Sequence, residues 1–172
     1  MPPTARIVTL PPMAWALFAT PWGEFSARAE GATVVELRFP GSPGGELGPR
    51  TPIVERLARE LSEYLRGKRR EFGVPTRAGG TSFQQAVWNE LVKIPYGTTI
   101  TYGELAARVG RPRSARAVGQ AVGANPIPIL IPCHRVLPAG GGVGGFSTGE
   151  EWKVRLLALE GASPYREKSS PR

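Results

Sequence analysis

The chain reads as an α+β protein: a small N-terminal α/β unit with an antiparallel sheet, then a mostly helical C-terminal unit containing a helix-turn-helix. Three patterns carry that prediction. Between Phe25 and Phe39, apolar and polar residues alternate on either side of a Glu30-Gly31-Ala32 turn, the period of a hairpin. From Ile53 to Leu65 the apolar residues fall on one helical stripe. Beyond residue 80, Ser/Thr-x-x-Gln/Glu signatures and a run of small residues mark a succession of short helices.

In order, residues 1–23 are proline-rich and carry little readable pattern, with Ala14-Trp15-Ala16-Leu17-Phe18-Ala19 the one strand they offer. The hairpin follows, with Phe25, Ala27 and Ala29 on one arm; on the other, Val35, Leu37 and Phe39 oppose Glu36 and Arg38. Residues 40–50 are a glycine- and proline-rich loop. Thr51-Pro52 is an N-cap followed by proline at the first helical position. Ile53, Leu57, Leu61, Tyr64 and Leu65 form the stripe of that helix, and Gly67 ends it. Arg66-Gly67-Lys68-Arg69-Arg70 reads as a solvated basic helix end, with a phosphate contact as the alternative. Gly79-Gly80 marks a boundary, dividing the chain into a domain over 1–80, a second over 81–165 and a disordered tail over 166–172.

Ser82 with Gln85 offers a capping box for a helix carrying Phe83, Val87 and Leu91 on one face, closed by Pro95-Tyr96-Gly97. Thr101 with Glu104 offers another, for a helix through Leu105, Ala106 and Val109 to Gly110. Arg111-Pro112-Arg113 then turns the chain into a helix over Ser114–Val122. A final helix runs from Glu150 through Trp152, Lys153, Leu156 and Leu159 to Glu160, with Gly161 as its C′ residue.

Composition narrows the function. No run of about 18 apolar residues occurs, and the start lacks a charged region followed by an apolar one, so neither a membrane span nor a secretory signal is expected. One cysteine cannot form an internal disulfide, which fits a reducing cytosol. One cysteine and one histidine cannot supply the four ligands of a structural zinc, and no metal or cofactor is expected. Lysine and arginine outnumber acids 22 to 14, and 18 of the 22 are arginine, a balance that favours a polyanionic partner.

Residues 101–135 concentrate that charge, with Arg108, Arg111, Arg113, Arg116 and Arg135 against Glu104. Two short helices joined by a glycine-containing turn give the helix-turn-helix outline. The second helix places Ala115, Ala117, Gly119, Ala121 and Gly123 at alternate positions, although each interior glycine costs about 1 kcal/mol. Close helix–helix packing is one explanation. The other is a bare surface that must approach a nucleic-acid groove. Long base-reading side chains are missing, so binding is expected to be sequence-tolerant, with arginines on phosphates and one entering the base stack.

Cys133 and His134, the only residues of their types, stand together in Pro132-Cys133-His134-Arg135-Val136. A thiol is nucleophilic as thiolate, and a nearby imidazole is the common way to form one at neutral pH. In an extended strand their side chains would point to opposite faces, so contact requires a bend or a bridging water. A buried, inert cysteine is the plain alternative. Asn125, in Asn125-Pro126-Ile127-Pro128, can both donate and accept where proline removes backbone donors, or can simply mark a turn. The glycine loop over 139–149 lacks the Lys-Ser/Thr ending of a P-loop, so no nucleoside-triphosphate site is expected there. Glu160 sits where a helix dipole disfavours negative charge, so it is either solvated or held there to orient an imidazole.

These segments together resemble the O6-alkylguanine-DNA alkyltransferase family, the methylated-DNA–protein-cysteine methyltransferases. The resemblance runs through Thr81-Ser82-Phe83-Gln84, Val87-Trp88, Ile94-Pro95-Tyr96-Gly97, Thr101-Tyr102-Gly103-Glu104-Leu105-Ala106, Arg116-Ala117-Val118-Gly119, Asn125-Pro126, the Pro-Cys-His-Arg-Val string and Lys153 to Glu160. It covers about half the chain in unbroken order; residues 1–80 match loosely, mainly at Thr20-Pro21-Trp22-Gly23 and the hairpin.

The resemblance implies a single-turnover repair protein that flips an O6-alkylguanine out of double-stranded DNA and keeps its alkyl group. Cys133 is then the acceptor, His134 the base acting through a water, Glu160 the acid that orients it and Asn125 the hinge. Tyr102 rotates the nucleotide and donates to a ring nitrogen. The backbones of Val136 and Arg135 read the guanine edge, with Phe146, Ser147 and Lys153 completing the substrate shell. Arg116 fills the vacated stack, and Arg111, Arg113, Ser114, Ala115, Ala117 and Gly119 lie on the DNA. The resemblance also implies a ribonuclease H-like N-terminal domain, a monomer with no obligate protein partner and a cytoplasmic, nucleoid-associated location. Two positions depart from the family pattern: Phe146 stands where tyrosine is common and Thr148 where glycine is common, both bearing on which alkyl groups are accepted. A binding-only lesion sensor and a Cys-His-Glu hydrolase are the competing readings; the former class replaces the acceptor cysteine, and the latter needs no Arg116 or basic groove.

Overall fold

Strand β1 (Trp15–Thr20) pairs antiparallel with β2 (Gly23–Glu30), which pairs antiparallel with β3 (Thr33–Arg38), giving a three-stranded meander in the order β1-β2-β3. The computed structural model describes residues 14–42, 44–146 and 148–162. The expected reading of residues 1–13, of the 166–172 tail and of Ser147 therefore falls outside the described residues. The alternation that predicted the hairpin is the alternation that buries it: Phe18, Phe25, Ala27, Leu37 and Phe39 all enter the core. A register shift at Arg28/Ala29 breaks strict period two, and Val34 is buried alongside Val35.

Helix α1 (Pro52–Leu65) lies against this sheet, with Ile53, Leu57, Leu61, Tyr64 and Leu65 buried as the stripe required. Proline occupies its first turn as expected, but Thr51 makes no side-chain cap; its hydroxyl is buried and without a partner among the described residues. Gly67 ends the helix with φ of 74°, a conformation glycine adopts without strain. Glu60 is a buried acid that the helical stripe did not single out. Its carboxylate accepts from the Gly73 and Val74 amides and from Arg56, pinning the chain after the helix back onto it.

Helix α2 (Ser82–Leu91) begins at Ser82 itself, so its cap lies one residue before the expected one. The capping box is Thr81 with Gln84, not Ser82 with Gln85. Thr81 has the extended backbone a cap needs, Ser82 is already helical, and the Gln85 amide is committed to the Ala78 carbonyl. Thr101 and Glu104 do form the box that opens α3 (Tyr102–Arg108), and α4 (Ala115–Gly123) follows across a turn begun by Gly110. Helices α2, α3 and α4 pack on one another, and α5 (Glu150–Leu159) closes the chain with Glu160 as its C-cap.

A two-stranded parallel ladder was not legible beforehand. β4 (Ile100–Thr101) pairs with β5 (Val136–Leu137), so the Cys133 segment enters the ladder on the Ile100 side and Tyr102 leaves it on the Leu137 side. One continuous apolar core runs from Ala16 on the sheet through Tyr64, Trp88 and Val118 to Cys133 and Leu156. Among the described residues no helix is long and apolar enough to cross a membrane.

Candidate active site

The site is built on the segment that leaves α4. The Asn125 side chain donates from Nδ2 to the Ile131 carbonyl at 2.7 Å and accepts the Ile127 amide on Oδ1 at 3.0 Å, supplying the partners that Pro126 and Pro128 deny the backbone. Within the loop so closed, Ile129 has φ of 73°, an unusual and strained conformation for a β-branched residue, and it is buried. Cys133–Arg135 is then a single 3-10 turn rather than a strand, so the strand-parity objection to a Cys–His partnership does not arise.

Cys133 is buried, and burial pushes its thiol up to about 11, against the Asn125 side chain, the Lys153 charge and nearby backbone amides, which all pull it down. Left alone, such a thiol stays protonated at neutral pH. It therefore needs both a base and a compensating charge.

His134 is fully buried. Its Nε2 lies 2.9 Å from Glu160 Oε1, and its Nδ1 has no hydrogen-bond partner among the described residues. Burial lowers its pKa, with the Glu160 hydrogen bond and charge opposing, so the ring is held as a neutral imidazole able to take a proton. Glu160 is buried, not solvated. Burial alone would raise its pKa, but hydrogen bonds from His134, Arg135 and Tyr64 hold it well below the ordinary carboxylate range.

Two of those partners escaped the sequence reading. Arg135 was assigned a backbone role; its guanidinium is buried and bidentate on Glu160, from Nε at 2.9 Å and Nη2 at 2.7 Å, with Nη1 on the Ile94 carbonyl at 2.6 Å. Tyr64 was read as stripe. Its hydroxyl reaches Glu160 at 2.7 Å across 96 residues of sequence. The available signal was its type: a tyrosine at a fully buried helix position must find its hydroxyl a partner.

Lys153 is completely buried, and its Nζ has no hydrogen-bond partner among the described residues. It lies 5.8 Å from the Tyr102 ring centroid. Burial brings its pKa down to about 8, with the charges of Cys133 and Glu150 opposing. Tyr102 is partly buried and its pKa is raised by burial and by Cys133. Val136, in β5, is fully buried and paired with Ile100. Phe146 meets Phe39 edge-on at 6.1 Å, and Phe39, just after β3, in turn packs on Trp152. Thr148 shares a groove with Asn125, Pro128 and the β3 residues Leu37 and Arg38.

The small residues of α4 divide between core and surface. Val118, Ala121 and Val122 face the core, while Ala115, Arg116, Ala117 and Gly123 are exposed. A methyl at Gly123 would meet nothing within 4 Å, and one at Gly119 only the Tyr102 ring at an ordinary 3.7 Å. Internal packing therefore does not demand these glycines. Arg113 is exposed before the helix, Ser114 is its N-cap residue without a side-chain cap bond, and the Arg111 guanidinium stacks on Phe83 at 5.2 Å.

A family model described as the 6-O-methylguanine DNA methyltransferase DNA-binding domain matches residues 82–162. The inducible methylated-DNA–protein-cysteine methyltransferase of Bacillus subtilis is 47% identical over 123 residues, 72% of this chain and 67% of that protein. The corresponding protein of Haemophilus influenzae is 36% identical over 159 residues, 89% of this chain and 88% of its own length. Among solved structures, Mycobacterium tuberculosis OGT in complex with DNA superposes with a TM-score of 0.80 at 38% identity, covering 86% of this chain and 92% of that one.

Proposed function

The chain belongs to the methylated-DNA–protein-cysteine methyltransferases, and from that premise we propose that Cys133 takes the alkyl group from an O6-alkylguanine rotated out of duplex DNA. Its activity is methyl transfer in DNA repair by direct reversal, and DNA is its partner. The observation that carries the assignment to residues is the buried cysteine in the same turn as a histidine held 2.9 Å from a buried carboxylate.

The chemistry follows from that arrangement. His134 Nδ1 takes the thiol proton through a water, and Glu160 stabilises the imidazolium that results. The thiolate forms a sulfur–carbon bond as the carbon–O6 bond breaks. Guanine leaves with its carbonyl restored while Tyr102 donates a hydrogen bond to a ring nitrogen, and the proton taken up by His134 passes through water to the departing base, so Tyr102 and His134 both end neutral. Lys153 balances the thiolate charge, and Asn125 holds the turn. The product is a thioether, which has no route back to thiol, so each molecule acts once. The Val136 and Arg135 backbones, Phe146 and Ser147 enclose the base.

On the DNA, Arg116 fills the space the nucleotide leaves, while Arg111, Arg113, Ser114, Ala115, Ala117 and Gly119 lie along the groove. Extrusion is easier for a damaged, poorly paired base, which contributes selectivity. The start of the family match at residue 82 supports a division of labour between a domain over 1–80 and a DNA-binding and transfer domain over 81–165. The protein acts as a monomer in the cytoplasm, at the nucleoid, without an obligate protein partner.

Intact-protein mass spectrometry after incubation with a duplex containing one O6-methylguanine tests this reading. One methyl adduct on Cys133, capped at one per protein and absent from Cys133→Ala, is the expected outcome. Tight lesion binding without an adduct would mean a sensor, and repeated product release from unmodified protein would mean a turnover enzyme.

A further inference from the structure

The Glu160 carboxylate accepts five hydrogen bonds, more than the four or so lone-pair positions an ionised carboxylate offers. The bonds divide unevenly. Oε2 takes the Arg135 Nε and the Gly97 amide, whereas Oε1 takes Tyr64 Oη at 2.7 Å, Arg135 Nη2 at 2.7 Å and His134 Nε2 at 2.9 Å. Tyr64 thus competes with His134 for a single oxygen.

The hydroxyl is well placed to do so permanently. Tyr64 is fully buried near the end of α1, its ring tilted against Phe72 at 5.3 Å and perpendicular to Tyr96 at 6.1 Å. Burial, with the charge and hydrogen bond of Glu160, raises its pKa far beyond any working pH, so it is always a donor to this carboxylate. The other titratable or charged groups facing His134 and Glu160 are Tyr96 from the loop after α2, Arg135 and Cys133 from the same turn and Lys153 from α5.

Resting on the reading of Cys133 as the alkyl acceptor, we propose that Tyr64 is a positioning residue for the transfer. Its hydroxyl, carried from α1 onto the oxygen that holds His134, orients the imidazole and restrains its basicity. Tyr64 thereby ties α1 to the His134–Glu160 pair.

The test uses the full chain with Tyr64→Phe, which keeps the ring and removes the donor. Adduct formation on Cys133 is followed under single-turnover conditions across pH, and His134, the only histidine in the chain, is titrated by ring-nitrogen NMR. Transfer near neutral pH should slow about tenfold. Without the competing donor, Oε1 holds the imidazolium more strongly, so the His134 midpoint and the acid limb of the rate profile both move to higher pH. Leu57→Ala, which loosens α1 away from Glu160, should move neither.

Unchanged rate and titration in Tyr64→Phe would overturn the proposal, as would the same shift in Leu57→Ala. If Tyr64→Phe does not fold, 3-fluorotyrosine at position 64 decides: as a stronger donor it must lower the His134 midpoint, and an unmoved or raised midpoint refutes the idea. If wild-type protein forms no adduct, the acceptor reading fails by itself, while the His134 titration still reports on the Tyr64 contact.

Discussion

Asn125 Nδ2 holds the Ile131 carbonyl at 2.7 Å while the same side chain receives the Ile127 amide, so one residue closes the loop that carries Cys133. Asn125→Ala would leave the Ile127 amide without a partner and the Ile131 carbonyl with the Cys133 amide alone, and the expected loss of stability is about 2 kcal/mol by urea denaturation. Transfer should fall further than the unfolded fraction explains, because the side chain also favours the Cys133 thiolate. Asn125→Asp keeps the acceptor but places a negative charge beside the sulfur. Its new oxygen also faces the Ile131 carbonyl to which Nδ2 donated, so Asn125→Asp should be no more stable than Asn125→Ala and slower in alkyl transfer; faster transfer than Asn125→Ala would remove Asn125 from the site.

Lys153 is held at the expense of stability. Its folded pKa of about 8 lies below the value of an exposed lysine, so between that pH and about 10.5 the unfolded chain binds more protons and stability rises with pH. Below pH 8 the full penalty of burying the ammonium is present, on the order of 3 kcal/mol. Lys153→Met should accordingly raise the melting temperature at pH 7 and flatten its rise between pH 8 and 10.5. The same variant should transfer methyl groups poorly, because the thiolate loses its balancing charge. A destabilised Lys153→Met with normal transfer would mean that the lysine is structural.

Elements whose signal lies within one turn or one hairpin are legible in the sequence: the α1 stripe and the Thr101–Glu104 box stand, and the Phe25–Phe39 alternation gives the hairpin but misses the shift at Arg28/Ala29 that buries Val34 beside Val35. The box at α2 slipped by one residue because Thr81-Ser82-Phe83-Gln84-Gln85 contains two overlapping Ser/Thr-x-x-Gln patterns, and the choice between them depends on where Gln85 finds the Ala78 carbonyl. The β4–β5 ladder is two residues long and has no period to detect. The Glu160 cluster was half legible. His134 and Glu160 followed from the family resemblance, but Tyr64 and the Arg135 side chain arrive through packing of distant segments, for which local pattern carries no information.

Acid should weaken the fold through the same carboxylate. Glu160 is held below the ordinary carboxylate range, so its contribution is complete above the unfolded value near 4.3 and is lost as pH falls through that value toward the folded one. His134 acts earlier and in the same sense: its folded pKa is lowered, so below about 6.5 the unfolded chain takes up a proton that the folded ring resists. Stability measured by urea titration should thus decline from slightly acid pH and fall steeply below about pH 5. Glu160→Gln should lose about 3 kcal/mol at pH 7, because Arg135 is left buried without its anion, and should show a shallower decline below pH 5. An equally steep acid limb in that variant would place the responsible carboxylate elsewhere.

Arg116 separates flipping from chemistry. It is exposed on the small-residue face of α4, away from the buried His134–Glu160 pair, so shortening it disturbs neither the core nor the relay. Arg116→Ala should keep wild-type stability within about 0.5 kcal/mol, as surface substitutions do. With a duplex substrate the extruded nucleotide leaves a gap that nothing then fills, so the flipped state is less populated and adduct formation on Cys133 should slow by a hundredfold or so, equivalent to about 3 kcal/mol. A free O6-alkylguanine base requires no extrusion and should react at the wild-type rate. Equal loss on both substrates would show that Arg116 acts on the transfer step. Equal retention on both would leave the stack to be filled by another residue, with exposed Arg113 the next to test.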